Sequence, residues 1–129
     1  MNDLATQNQP GNGSPQREVS RGMIGTYKEY FGRGPTKALT TITDTYSATI
    51  MSDALTVVER RLAAEGNHET VLSLRRKVQG HMAEDMTALV ERATGRKVRC
   101  LLSDHDVRTD TAVEILVFED AELPEGAEG

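Results

Sequence analysis

The densest set of side chains that could bind a metal ion or transfer protons lies in the segment "SDHDVRTD". The potential ligands in it are Asp104, His105, Asp106 and Asp110. Carboxylates and an imidazole suit a divalent metal ion or general acid–base chemistry. In an extended chain, however, Asp104 and Asp106 would share one face while His105 points to the other. Because Asp and Ser also form turns through bonds to their own backbone, the pattern favours a polar turn over a metal site or an acid–base site.

A second candidate is the short motif "GRGP", in which Arg33 stands between Gly32 and Gly34 and Pro35 follows. An arginine held in a fixed turn can bind an anion through two parallel hydrogen bonds. The motif is not a phosphate-binding glycine loop, since it follows a predicted helix where such loops open one. Glycine and proline in this order are typical of a helix end. The two interpretations are compatible, because the turn that ends the helix could present Arg33.

Nucleophilic catalysis finds little support in this chain. Its one cysteine, Cys100, lies in an apolar stretch, which predicts a small buried hydrophobic residue and not a reactive thiolate. The chain also lacks the G-x-S-x-G motif of serine hydrolases. A single cysteine cannot form a disulfide within the chain and fits a reducing compartment. No residue pattern implies a cofactor.

Two basic clusters raise the alternative of a nucleic-acid-binding module. They consist of Arg75, Arg76 and Lys77, and of Arg96, Lys97 and Arg99. An RNA-binding domain would need both clusters on one surface, together with exposed aromatic residues to stack on bases. For the first cluster, a solvated helix face is the simpler interpretation.

In the first half of the chain, the spacing of apolar residues predicts a helix and then a hairpin. The helix runs from Glu18 to Phe31, with Ser20 or a neighbour as its cap and Gly32 at its end. Its apolar face consists of Met23, Ile24, Tyr27, Tyr30 and Phe31. Residues 38–53 are rich in β-branched side chains and predict two strands around a turn at Asp44.

Two helices are predicted next. Thr56 and Glu59 have the spacing of a capping box, so a short helix is expected from Val57 to Ala64. A longer helix would be capped by Asn67, run to about Ala93 and end at Gly95. Its predicted buried stripe is Val71, Leu74, Val78, Met82, Met86, Leu89 and Ala93.

The last two strands are expected in residues 97–104 and 112–118, with residues 105–111 as the loop between them. Val98, Cys100 and Leu102 would share one face of the first strand. In the second strand one face would carry Val113, Ile115 and Val117, and the other Leu116 and Phe118. Neighbouring hairpins without β-α-β alternation predict a single α+β domain, in which a mostly antiparallel four-stranded sheet carries helices on one side.

Charge and composition divide the 129 residues into one domain and two tails. Of the 20 acidic residues, Asp3 and five in residues 119–129 lie outside residues 17–118, which leaves 14 acids against 15 bases there. The predicted parts are a polar disordered tail (residues 1–17), the domain (residues 18–118) and an acidic disordered tail (residues 119–129). A nearly neutral domain does not favour nucleic acid. The chain has no apolar run of membrane-span length, and residues 1–12 do not read as a signal peptide.

Several of these segments together resemble a known family. They are "YKEYFGRGPTKA", the T-x-x-E start of the short helix, "ERATGRKVRCLLSDHDV" and "VEILVF". The most specific piece is Y-x-x-Y-F-G-R-G-P, and the second is an aspartate in the last loop, placed at Asp106. The chain is similar over about residues 18–118 to the MpsC family, small proteins named for a sodium-translocating system. The resemblance implies an accessory role beside a membrane complex that handles ions or bicarbonate. It also makes Tyr30, Arg33, Gly34, Pro35 and Asp106 candidates for a binding surface.

The leading hypothesis is a non-enzymatic cytoplasmic domain that binds a protein partner. The expected partner is a membrane complex, which would hold the protein at the membrane periphery, and the domain is also expected to form a homo-oligomer. The first alternative is an RNA- or ribosome-binding module that uses the two basic clusters. The second is a metal-dependent or phosphate-ester enzyme that uses Asp104, His105 and Asp106. Each hypothesis predicts a different surface: an exposed apolar patch, a shared basic face, or a cleft in which carboxylates and a histidine converge.

Overall fold

In the computed structural model, which describes residues 13–126, the chain forms three helices and four strands in the expected order. They are α1 (Pro15–Phe31), β1 (Lys37–Ile42), β2 (Tyr46–Ser52), α2 (Val57–Ala64), α3 (His68–Thr94), β3 (Val98–Asp106) and β4 (Thr111–Phe118). The α+β class predicted from the sequence is confirmed. Most of the predicted N-terminal tail, residues 1–12, lies outside the described residues, as do residues 127–129 of the acidic tail.

The first helix begins three residues before the predicted start. The side chain of Ser14 caps it by accepting a hydrogen bond from the backbone N–H of Arg17, and Pro15 occupies the first helical turn, where no amide donor is needed. The prediction of Ser20 as the cap is wrong, because Ser20 lies inside the helix and its hydroxyl bonds to that of Thr40. Gly32 ends the helix in the left-handed conformation, at φ 86°, as predicted.

The four strands form one antiparallel sheet in the order β1-β2-β4-β3, so β1 and β3 are its edges. Helices α1 and α3 pack against one face, which we call the inner face. The core between them is largely aliphatic and methionine-rich, in keeping with an aromatic content of only 4%. Its buried side chains include Val19, Met23, Tyr27, Met51, Met82, Met86, Leu89, Val90, Leu116 and Phe118.

The buried stripe of α3 differs from the predicted one by a rotation of the helix. Val71, Met82, Met86 and Leu89 are buried as expected. Leu74, however, is 48% exposed, and the buried positions between Val71 and Met82 are held by two polar side chains, Arg75 and Gln79. The capping box at the start of α2 is present as predicted, and Gly95 ends α3 at φ 72°.

The predicted faces of β3 are also wrong in part. A bulge between Val98 and Cys100 shifts the alternation of side chains, so Leu101, Ser103 and His105 point inward. Cys100 is exposed, which corrects its assignment as a buried residue. The strand continues to Asp106, and the loop before β4 is shorter than predicted.

Candidate functional site

The "GRGP" turn holds together two parts of the chain. Arg33 Nη1 donates hydrogen bonds of 2.8 Å to the backbone carbonyls of Asp53 and Leu55, and Nη2 lies 3.3 Å from the Asp53 carboxylate. Gly34 allows this approach, because a Cβ there would lie 2.7 Å from the carbonyl oxygen of Ile24 in α1. The guanidinium therefore fastens the end of α1 to the segment that connects β2 with α2.

We expect Arg33→Ala to lower the free energy of unfolding by about 1–2 kcal/mol, since it leaves two backbone carbonyls without their donor. Urea unfolding measures this effect. A matched control is Arg61→Ala, which removes an exposed arginine of α2 and should change stability by less than about 0.5 kcal/mol. Equal stabilities of the two variants would show that the hydrogen bonds of Arg33 do not stabilise the fold, and would favour a binding role for this residue.

The other residues of the predicted binding surface are dispersed. The hydroxyl of Tyr30 donates a hydrogen bond of 2.9 Å to Asp85, a residue of α3. Asp106 accepts hydrogen bonds from the backbone and the hydroxyl of Thr109, and these bonds, the hydroxyl first, hold the pKa of Asp106 below its ordinary value. Among the described residues, no hydrogen bond or ion pair joins Asp106 to Arg33. A role of Tyr30, Arg33, Gly34, Pro35 and Asp106 in partner binding stays a prediction.

Of the four candidate ligands in "SDHDVRTD", the structure brings together His105 and Asp110 but not the other two. Asp104 points outward, 3.7 Å from Arg76, whereas His105 points inward and its Nε2 lies 3.0 Å from Oδ1 of Asp110. Burial, followed by the nearby charge of Arg75, lowers the pKa of His105, so the ring is neutral at pH 7. In the part of the chain that the structure describes, no three His, Cys, Asp or Glu side chains are grouped closely enough to hold a metal ion.

A cleft of about 580 Å³ lies between α2 and the β3–β4 loop, and its position was not foreseen. Its lining includes Asp53, Arg60, His68, Arg108 and Asp110. Both carboxylates are bonded within the chain: Asp53 to Arg33, Thr36 and Arg60, and Asp110 to His105 and to the backbone N–H of Leu55. These bonds, that of Thr36 first, keep the pKa of Asp53 low. Carboxylates whose oxygens are already bonded within the chain are poor candidates for proton transfer.

The two basic clusters do not form one exposed surface. Arg75 is fully buried, while Arg76 is exposed and lies near Asp104. In the second cluster, the guanidinium of Arg96 lies over the ring of Phe118 and bonds to Asp120, whereas Lys97 and Arg99 are exposed. The geometry therefore supports the RNA-binding hypothesis less than the sequence pattern does.

Arg75 instead forms a buried ion pair with Glu59 of the capping box. Its Nε and Nη2 lie 2.9 Å and 2.6 Å from the two carboxylate oxygens, and Nη2 also donates to the carbonyl of Ala54. The guanidinium carbon lies 3.7 Å from the centre of the Phe31 ring. Burial opposes ionisation of Glu59, but the hydrogen bonds from Arg75 and Thr56 outweigh it and hold the pKa of Glu59 below its ordinary value.

A second buried carboxyl, that of Glu114, lies on the inner face between β4 and the helices. It accepts hydrogen bonds from the hydroxyls of Tyr27 and Ser103 and from the amide of Gln79. Burial raises the pKa of Glu114 to about 7 despite these donors, and it raises the pKa of Tyr27 as well. The sequence contained a signal for this cluster, since Glu114 lies two and four residues before Leu116 and Phe118 and therefore shares their face of β4.

The side of the sheet opposite the helices is apolar and uncovered. We call it the outer sheet face, formed by Leu39, Tyr46, Ala48, Ile50, Cys100, Leu102, Val113, Ile115 and Val117. Within residues 13–126 the face stays largely open, since Ile50 and Leu102 remain 53% and 56% exposed. At the β3 edge, Leu72 and Arg76 of α3 line a cavity together with Ile50 and Val113. An antiparallel sheet with one solvated face normally carries polar residues there. A contiguous apolar patch of this kind marks a surface that contacts another protein or a membrane.

Comparison with known proteins yields one match. The family model described as "Na+-translocating membrane potential-generating system (MpsC)" matches residues 12–120, which is most of the chain. Neither a curated protein nor a solved structure matches it. Across residues 13–126, every helix is too short or too polar to cross a membrane.

Proposed function

The chain belongs to the MpsC family, and we propose that it is a non-enzymatic accessory protein that serves a Na+-linked membrane system by binding protein. The observation that carries the proposal is the outer sheet face. Nine side chains of four strands are apolar or carry only a thiol or a phenol, and the charged residues of this face, Lys37, Asp104 and Asp106, lie on the edge strands β1 and β3. A sheet that packs one face against helices and leaves an equally apolar second face exposed can bind a partner protein through that second face.

The proposed location is the cytoplasm, with attachment to the membrane periphery through the partner. Two features support a binding role over an enzymatic one. The acidic residues around the 580 Å³ cleft are bonded to other groups of the chain, and His105 points to the opposite face of β3 from Asp104 and Asp106. These acidic side chains thus stabilise the fold, whereas the apolar outer sheet face remains available for contact with another protein.

The test is capture of partners from native cell extract, membrane fraction included, with the tagged full chain. Ile50→Lys places a charge at the middle of the outer sheet face, where the side chain is exposed and the fold can accept it. Leu74→Lys is the matched control, since Leu74 is similarly exposed but lies on α3. We expect Ile50→Lys to reduce the recovered partner at least about tenfold, by burying an unpaired charge, and Leu74→Lys to have little effect.

A partner that both variants retain would show that the outer sheet face is not the binding surface. Material that both variants retain but that is lost on nuclease treatment would overturn the proposal in favour of the RNA-binding module. Quantitative mass spectrometry with and without nuclease distinguishes these results.

A further inference from the structure

We propose that the protein covering the outer sheet face is a second copy of this chain, packed face to face about a two-fold axis parallel to the strands. The inference rests on the proposed function, because it names the protein that binds the same face; the dimer, and not the single chain, would then be the unit that contacts the membrane system. It gives the functional unit as a homodimer in which two sheets form the centre of a four-layer helix–sheet–sheet–helix assembly.

The strand register arranges the outward side chains in rows that cross the whole sheet. One row contains Leu39, Ile50, Val113 and Asp104; the next contains Thr41, Ala48, Ile115 and Leu102; the third contains Tyr46, Val117 and Cys100. The two central strands, β2 and β4, contribute only uncharged side chains to these rows. Such a surface fits the interior of a β-sandwich, in which two sheets pack about 10 Å apart through apolar side chains.

The charges at the two edges select the partner and the orientation. Lys37 on β1 and Asp106 on β3 lie at opposite ends of one row, whose central members are Ser52 and Thr111. Asp104 lies at the β3 edge in the neighbouring row, where it would face Leu39 of the second copy and is 3.7 Å from Arg76 of its own chain. A two-fold axis parallel to the strands lays β1 of one copy over β3 of the other at the same height. It thereby sets Lys37 against Asp106 twice, once on each side of the dimer.

The alternative axis, perpendicular to the strands in the plane of the interface, lacks this match. It would lay β1 over β1 and β3 over β3 with the strand direction reversed, so that Lys37 and Asp106 would face the uncharged far ends of these strands in the second copy.

The size of the face is sufficient for a reversible dimer. Four strands about 4.8 Å apart and four rows about 6.8 Å apart give a footprint of roughly 500 Å² per copy. Two such footprints reach the roughly 1,000 Å² that a specific interface requires. The predicted dimer is therefore at the small end of stable interfaces and should dissociate on dilution.

The chain itself offers a poor substitute for a second copy. Residues 1–12, which lie outside the described part, contain only Met1, Leu4 and Ala5 as apolar residues, and residues 127–129 add Ala127. Four apolar side chains in two separate segments cannot cover nine positions on four strands.

The first test is sedimentation velocity of the full chain over a series of concentrations. The wild type and the Leu74→Lys control should change with increasing concentration from the 14.1 kDa monomer to a species of twice that mass. Ile50→Lys should raise the dissociation constant at least about 100-fold, since a lysine would be buried against Val113 of the second copy. Circular dichroism confirms that the variants are folded.

A charge exchange tests the orientation. Lys37→Glu and Asp106→Lys should each weaken self-association by roughly fivefold to tenfold, because both edge contacts then join like charges. Mixing the two variants should restore a dimer of nearly wild-type affinity, since in that heterodimer both contacts again join opposite charges. Two variants that are weakened alone and remain so in the mixture would overturn the parallel axis.

The inference and the proposed function fail differently. A wild type that stays monomeric at every concentration, yet captures a cellular protein through the outer sheet face, would overturn the second copy and leave the proposed function intact. A monomer that captures nothing would overturn both. Hydrogen exchange gives a third outcome. If β2 and β4 of the monomer are protected only when residues 1–12 are present, this segment covers the outer sheet face and the dimer is excluded.

Discussion

Arg75→Met is expected to lower the free energy of unfolding by about 3–5 kcal/mol, the usual effect of removing one partner from a buried ion pair. The variant keeps much of the side-chain volume but leaves the Glu59 carboxylate buried without its cation. Both guanidinium nitrogens that contact Glu59 would be lost, as would the hydrogen bond to the carbonyl of Ala54. The contact of the guanidinium with the Phe31 ring would also disappear.

The neighbouring arginine provides the control. Arg76 is adjacent in sequence on the same helix, but it is exposed and its nearest acid, Asp104, is 3.7 Å away. Arg76→Met should therefore change stability by no more than about 0.5 kcal/mol. Urea unfolding at one fixed protein concentration measures both variants, since self-association would add to the stability of each.

A double variant separates the lost charge pair from lost packing. Glu59→Gln keeps a capping-box side chain at this position while removing the negative charge. Arg75→Met combined with Glu59→Gln should therefore be more stable than Arg75→Met alone, because no unpaired charge stays buried. If Arg75→Met costs no more than Arg76→Met, the ion pair does not stabilise the fold.

The burial of Arg75 is a feature that could not be predicted from the sequence. The helix itself was predicted, with its start after Asn67 and its end at Gly95, because those signals are local, although the side chain of Asn67 makes no capping hydrogen bond. The buried stripe was placed on Leu74 by counting apolar residues, yet a helix turned by one residue buries Arg75 instead. The reason is Glu59, which lies 16 residues away and whose capping role already accounted for its presence. A pair between distant residues leaves no mark in helical periodicity.

Strand faces were predictable only where the alternation is regular. In β4 the two faces were assigned correctly, because each side chain follows the pleat. In β3 the bulge after Val98 reversed the alternation, so Cys100 faces outward. For Arg33, the motif was visible but its partners were not, since two of them are backbone carbonyls that no residue type announces. The outer sheet face contains residues of β4 whose orientation was predicted correctly and residues of β3 whose orientation was not. It could be recognised only once all four strands were paired in register.

Glu114→Gln is expected to stabilise the protein at high pH and to leave it nearly unchanged at low pH. The folded-state pKa of Glu114 is raised to about 7 by burial, from an ordinary value of 4.5. Below pH 4.5 the carboxyl is protonated in both the folded and the unfolded chain. As the pH rises from 4.5 to 7, the unfolded chain releases this proton while the folded chain retains it, so the wild type loses stability. Above pH 7 both states are ionised and the loss levels at about 3 kcal/mol.

The amide variant can keep the hydrogen bonds of the cluster. Its oxygen can accept from Tyr27 and Gln79, and its NH₂ can donate to the hydroxyl of Ser103, which accepts as readily as it donates. We therefore expect the stability difference between Glu114→Gln and wild type to grow by about 3 kcal/mol between pH 4.5 and 8 in urea unfolding. Taking the difference removes the contribution of other groups, including His105, whose lowered pKa acts in the opposite direction.

Glu84→Gln is the matched control, because it makes the same chemical change on the exposed side of α3. Because this side chain is exposed, we expect its difference from wild type to change much less over this pH range than that of Glu114→Gln. An equally small change for Glu114→Gln would mean that Glu114 is ionised in the folded chain at the usual pH. In that case the hydrogen bonds from Tyr27, Gln79 and Ser103 would outweigh burial, and the cluster would hold a buried anion. A growing difference shows the opposite balance, in which desolvation exceeds three hydrogen bonds and the inner face of the sheet carries a carboxyl that is neutral until near pH 7.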